Sequence, residues 1–270
     1  MTTLCSFILP LRSKSVTSDW KLISYLCCQT VNSCLNSEVL QIQVLVVGHE
    51  IPEGFEKFRD HRVRFIQATH KAPVSSAGSM GMNDKWAKVA HGFVDLYEDP
   101  PEYLMIVDAD DLVSSRLVTY LKETRPENGL VIKHGYIYDF QKKRFRLVMN
   151  SFNCGTNSVI RTDVIHLPSS LSEKERLKCL PLAAGHTIIE QRMLDEGKPL
   201  AVVPYPAAAY LQYADQHSRE GLSEGVPSPR SLLRNALTSI LLPVIGTMSR
   251  QPKRTVLENE FGLLREEQGS

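Results

Sequence analysis

Tyr103-Leu104-Met105-Ile106-Val107-Asp108-Ala109-Asp110-Asp111 sets a five-residue apolar run directly against three carboxylates. The run has the length and composition of a buried strand. Continued as a strand, it would turn Asp108 and Asp110 to one side and Asp111 to the other. Two carboxylates at one strand end make half a site for a hard cation, Mg²⁺ or Mn²⁺, with positions left open for phosphate oxygens. The plainer reading is a helix cap: Asp110, Asp111 or Ser114 would cap a helix over Leu112 to Lys122. A cap needs one acidic or hydroxyl residue, not three carboxylates.

Working outward, the chain repeats a strand–helix rhythm. Leu4 to Leu9 reads as a short strand closed by Pro10. Asp19 or Ser18 caps a helix whose stripe carries Trp20, Leu22, Ile23, Leu26, Cys27, Val31, Cys34 and Leu35. Ile42 to Val47 is nearly all apolar, as a strand buried on both faces should be. Val63 to Ile66 gives a third strand. Residues 71 to 82 read as a Pro-, Ser- and Gly-rich loop, followed by a helix from Asn83 to Tyr97. This order predicts an α/β fold with a doubly wound, mostly parallel sheet. Ligands of such sheets sit beyond the carboxyl ends of the strands, where Pro10 to Ser13, Gly48-His49 and Asp108 to Asp111 all fall.

The second half has another texture. Val131 to Phe140 and Arg144 to Val148 read as an antiparallel pair about a basic turn. A helix is expected near 171 to 179 and another from His186 to Glu196, stopped by Gly197. Leu200 to Val203 is a strand, and a Pro-flanked segment leads to Tyr210 and Tyr213. The expected organisation is one domain over 1–225, with a nucleotide-binding half to about 125 and a smaller antiparallel half after it. A helical extension over 226–270 follows.

At 270 residues, with 31 basic and 30 acidic side chains, the charge balance suggests no bulk affinity for nucleic acid. Met1 to Pro10 has neither a charged leader nor an apolar run of signal-peptide length. The six cysteines match no zinc spacing. The expectation is a reduced protein of the cytoplasm. Leu232 to Met248 is apolar but broken by Arg234 and Pro243, too short to span a bilayer. It either packs on the protein or lies at the inner face of a membrane as a peripheral contact.

The pattern resembles the GT-A nucleotide-sugar glycosyltransferases, closest to the family-2 type. The residues that carry the likeness are Phe7-Ile8-Leu9-Pro10, Val44-Leu45-Val46-Val47, Asn83-Asp84-Lys85-Trp86-Ala87-Lys88 and Asp108-Ala109-Asp110-Asp111. Cys154-Gly155-Thr156, Glu190-Gln191 and Gly197 follow in order, so the likeness covers roughly residues 4 to 218.

The resemblance implies a sugar moved from a nucleotide diphosphate-sugar donor, a UDP-sugar first, to a hydroxyl of a glycan, glycolipid or small molecule. It implies Mn²⁺ or Mg²⁺ held by Asp108 and Asp110, with His217 as a late ligand. Pro10, Leu11 and Arg12 would line the nucleotide pocket with Asp84, Lys85, Asp108 and Ala109. Asp111 would orient a ligand from behind or bind donor hydroxyls. An attacking hydroxyl must lose its proton, and Glu190 is the first choice of base, with His186 one turn away as the second. Many inverting members carry Glu-Asp where this chain has Glu190-Gln191, which leaves the stereochemical outcome open. Two other readings stand beside this one: a sugar nucleotidyltransferase, and a degenerate member that binds glycan or nucleotide without turnover. The first typically has a Gly-rich basic loop after strand one, whereas here that strand runs into Pro10-Leu11-Arg12-Ser13-Lys14.

Overall fold

The structure, a computed structural model, describes residues 2–75, 78–139, 144–176, 178, 188–213 and 254–263. Its main sheet takes β1 (Cys5–Pro10), β2 (Ile42–Gly48), β3 (Val63–Gln67) and β4 (Tyr103–Ile106) from the first half. The second half adds β6 (Gly129–Val131), β9 (Ser158–Arg161) and β10 (Ala201–Val202). The seven strands run in the order β3-β2-β1-β4-β9-β6-β10. β9 pairs antiparallel with both β4 and β6, and every other pairing in the sheet is parallel. The fold is therefore α/β, doubly wound and mostly parallel, and both halves of the chain build its one large sheet.

Alternation along the central strands divides the core between two faces. Phe7, Leu9, Val44, Val46, Tyr103 and Met105 pack on the side of α1 (Trp20–Leu35), with Ile23, Leu26, Cys27 and Val31. Ile8, Leu45, Val47 and Leu104 pack on the other side, against Val89, Phe93 and Leu96 of α2 (Gly78–Asp95). Strands apolar at nearly every position are what a sheet covered on both faces requires. Asp19 caps α1 by accepting from the Leu22 N–H at 2.8 Å. Gly92 brings α2 onto β1 so closely that a methyl there would sit 2.8 Å from Ile8.

A second, smaller sheet runs β5 (Asp111–Val113), β11 (Ala208–Gln212), β7 (Gly135–Asp139) and β8 (Arg144–Val148). β7 and β8 form the expected antiparallel pair. β11 lies parallel to β7, so this sheet is mixed rather than purely antiparallel.

Three local expectations change. The residues after β4 do not continue as a strand: the Asp111 N–H bonds the Asp108 carbonyl at 2.9 Å, closing a turn. The helix expected from Leu112 begins only at Arg116, as α3 (Arg116–Thr124), because Asp111 to Val113 pairs with β11 instead. α2 starts at Gly78, inside the stretch that reads as a loop. Further on, α4 (Ile189–Asp195) ends where expected. Gly197, at φ 73°, bonds the Leu194 carbonyl and Lys198 bonds that of Met193. This is the double bond of a Schellman stop, which favours glycine. The last described helix, α5 (Arg254–Phe261), docks on the core through Phe261, which is fully buried.

Candidate active site

β1 is flanked by β2 on one side and β4 on the other: the chain winds outward from β1 through β2 to β3, then crosses back to β4 on β1's far side. A crevice opens at such a point beyond the carboxyl ends of the strands. Here it encloses about 420 Å³ and is lined by Pro10, Leu11, Arg12, Asp84, Lys85, Asp108, Ala109 and Asp110. Residues far apart in sequence meet there because β1 and β4 end side by side and α2 begins above them.

Each wall has a local cause. Leu11 N–H donates to the Val47 carbonyl at 2.8 Å, which holds the chain to the sheet after Pro10. The next residues are fixed by Glu50, whose carboxylate accepts from Ser13 Oγ at 3.2 Å and from the Lys14 N–H at 3.0 Å. Lys85 pairs its Nζ with Asp108 Oδ1. Tyr213, from the residue after β11, donates its hydroxyl to Asp110 Oδ2 at 2.9 Å. Tyr210 and Tyr213 complete the far wall.

Asp111 does not line the cleft. It is 0% exposed, and its Oδ2 accepts from Thr156 Oγ1 at 2.6 Å. The same Oγ1 accepts from the Asp108 N–H at 2.9 Å, so Thr156 ties the turn to the residue that closes it. Gly155 lies flat against the Asp108 carboxylate, where any side-chain carbon would overlap it. Asp111 is thus placed behind the turn and not on the crevice wall.

The electrostatics follow from crowding three carboxylates into one turn. Burial, then the charge of Asp108, raises the Asp110 pKa, while Arg12, Tyr213 and Lys85 oppose the rise. Asp111 is pushed up further by burial and by both neighbouring carboxylates. Burial alone would lower the pKa of Lys85, but the charge and hydrogen bond of Asp108 outweigh it and raise it. A second positive charge would relieve this repulsion. Asp108 and Asp110 offer the oxygen donors that Mg²⁺ and Mn²⁺ prefer, so the pair fits a hard divalent ion.

Asp84 lines the crevice but is heavily committed. Its Oδ1 lies 3.1 Å from His49 Nε2 and 2.9 Å from His70 Nε2, and its Oδ2 accepts from Lys88 Nζ at 2.6 Å.

Glu190, on the first turn of α4, does not line the crevice. It pairs with Lys133 at 2.6 Å, and 45% of its side chain is exposed. Its neighbour Ile189 lines a smaller cavity of about 50 Å³ that shares Met82 and Lys85 with the crevice. His186, His217 and the segment Leu232 to Met248 lie outside the described residues.

Thr156, Gly155, Tyr213, His70 and Lys88 are functional candidates that carried no assigned role in the sequence reading. The Cys154-Gly155-Thr156 loop was visible there as a motif, but nothing in it marks Asp108 as its partner. His49 follows β2 directly, and His70 lies three residues beyond β3, so both fall at the crevice edge of the sheet.

No family model and no curated protein matches the sequence. Among solved structures, the chain is similar to S. aureus TarS 1-349, at 16% identity and TM-score 0.44, over 77% of this chain and 60% of that one. A structure of the same TarS segment in complex with UDP-GlcNAc gives 14% identity and TM-score 0.46, over 88% and 66%. The 4-diphosphocytidyl-2C-methyl-D-erythritolsynthase of Anaerococcus prevotii gives 13% identity and TM-score 0.40, over 88% and 96%. This chain thus spans 60% of the TarS segment's length. Likeness at this level says nothing of activity, and the site's chemistry rests on its own residues.

Proposed function

We propose that this chain is a metal-dependent glycosyltransferase that moves a sugar from a nucleotide diphosphate donor, a UDP-sugar first, to a hydroxyl acceptor. The observation that carries the reading is the meeting of Asp108, Asp110, Lys85 and Arg12 in one crevice at the switch point of a parallel sheet. Breaking a sugar–diphosphate bond leaves charge on the diphosphate. A divalent ion on Asp108 and Asp110 would supply Lewis-acid neutralisation of that charge. Lys85 and Arg12 add fixed positive charge on the same wall, Lys85 as a compact point charge. Pro10 and Leu11 form a rigid apolar edge for the nucleoside. Glu190 is the proposed base, on a helix whose Ile189 lines a small cavity that shares Met82 and Lys85 with the crevice.

The nucleotidyltransferase alternative is less well supported by the loop after β1. A phosphate cradle needs free backbone N–H groups, whereas the Lys14 N–H is already bonded to Glu50. One assay separates the readings. The protein is incubated with Mn²⁺ or Mg²⁺ and a panel of nucleotide sugars, and free nucleotide diphosphate is followed. Its release supports glycosyl transfer. Inorganic diphosphate released from a nucleoside triphosphate and a sugar phosphate would support nucleotidyl transfer instead. Saturable nucleotide binding with neither product would mark a binding protein.

A further inference from the structure

We propose that His49, His70 and Asp84 form a second cation site, suited to zinc, that ties the ends of β2 and β3 to the second turn of α2. The proposal stands apart from the transfer reaction and from the Asp108/Asp110 pair.

Three elements deliver one ligand atom each. His49 follows β2, His70 lies just past β3, and Asp84 sits on α2. The ligand atoms that the three residues offer all lie within 4.8 Å of one another. The two nitrogen-to-oxygen separations are 3.1 and 2.9 Å. Zinc bonds nitrogen and oxygen at about 2.0–2.1 Å, which spaces tetrahedral ligands roughly 3.3 Å apart. The two nitrogen-to-oxygen separations are a few tenths of an ångström short of that spacing, within reach of side-chain rotation. Two histidines and one carboxylate are also the set that leaves a fourth position open. Asp84 also borders the crevice.

The surroundings support ligation in two ways. Ligating carboxylates are usually held by a further donor on the free oxygen. Lys88 fills that place, 1% exposed, with its Nζ 2.6 Å from Asp84 Oδ2. His91 packs on His70 with ring centroids 5.4 Å apart and is itself fixed: its Nδ1 donates to the Ala87 carbonyl, and its Nε2 accepts from the Thr69 N–H. His91 is thus a brace, not a fourth ligand. Imidazole ligands also favour zinc where the oxygen-only Asp108/Asp110 pair favours magnesium or manganese. Among the described cysteines, Cys5, Cys27, Cys34 and Cys154 are buried, and the half-buried Cys28 donates its thiol to the Glu53 carbonyl at 3.6 Å.

The test uses the full chain, stripped with chelator and titrated with Zn²⁺ by calorimetry, with melting curves recorded in parallel. The expected result is one equivalent bound and a higher Tm. His49→Gln and His70→Gln should each weaken binding by roughly 10–100-fold or more and cancel the Tm gain. Asp110→Asn should bind Zn²⁺ like the parent. Far-UV circular dichroism checks that the histidine variants are folded, and glutamine keeps a polar side chain of similar length where alanine would leave a hole. Absence of stoichiometric binding would reduce the cluster to a hydrogen-bonded brace and overturn the proposal. Binding that survives both histidine variants but is lost in Asp110→Asn would overturn it too, by moving the ion to the carboxylate turn.

Discussion

Asp110 and Asp111 are neighbours in one turn, yet their surroundings give them opposite duties. Asp110 faces the crevice and takes the Tyr213 hydroxyl. Asp110→Ala should lower transfer at least ~10²-fold, since even outer-shell partners of a metal cost 10–100-fold when lost. Chelation with EDTA should do the same, and full activity in EDTA would sink the metal-dependent reading. Asp111 is sealed behind the turn with Oδ1 unpartnered, and its pKa is raised well above the ordinary 3.8. A raised carboxyl contributes stability while protonated and loses it as pH climbs through the folded-state value. Asp111→Asn mimics the protonated form and escapes that loss. In metal-free melts, the variant's Tm should therefore gain on the wild type as pH rises from about 4 to 7. A difference that stays flat with pH would show that Asp111 is not the titrating group.

At the scale of elements, the crevice depends on loops that grip one another. The 154–156 loop, leading into β9, holds Asp108 by a hydroxyl from Thr156 and by the bare Cα of Gly155. Gly155→Ala should displace the Asp108 carboxylate and reduce turnover by about 10-fold or more while the protein stays folded, since a 1 Å misplacement can cost 10²-fold. The check is kcat beside an unchanged far-UV spectrum; normal kcat would show that the loop can retreat without cost. α4 contributes Glu190, and Glu190→Gln keeps its shape while removing a proton acceptor. Turnover should fall by about 10²–10⁴-fold if Glu190 is the base, with donor binding little changed. A rate within a few-fold of wild type would move the role to His186 or elsewhere.

At the scale of the whole molecule, the last described helix closes the fold far from its own neighbours in sequence. Glu260 accepts from Ser114 Oγ at 2.7 Å and pairs with Arg116 at 2.8 Å. Phe261 stacks edge-on to Tyr136, with centroids 5.8 Å apart. Replacing such a buried ring by alanine costs about 3–5 kcal/mol. Truncation after Gly225 removes α5 as well as Leu232 to Met248, and should lower the Tm clearly. Among the described residues no helix is long and apolar enough to cross a membrane. Salt-sensitive sedimentation with anionic liposomes, lost on truncation without any change in Tm, would instead favour the peripheral-membrane reading of that segment.

What could be read from the sequence was whatever local periodicity controls. The nearly continuous apolar runs of β1, β2 and β4 and the helical stripe of α1 required a sheet covered on both faces. The residues that end β1 and β4, Pro10 to Arg12 and Asp108 to Asp110, were thereby fixed at one edge of that sheet. Pairing partners are set by contacts distant in sequence, and these only the tertiary structure decided. Leu112 and Val113 suit a helix or a strand equally, and it is β11, nearly a hundred residues later, that makes them β5. Hydrogen-bonding partners are hidden for the same reason. Thr156 reaching Asp108, and His49 and His70 converging on Asp84, depend on where three strands end in space, which no spacing along the chain records.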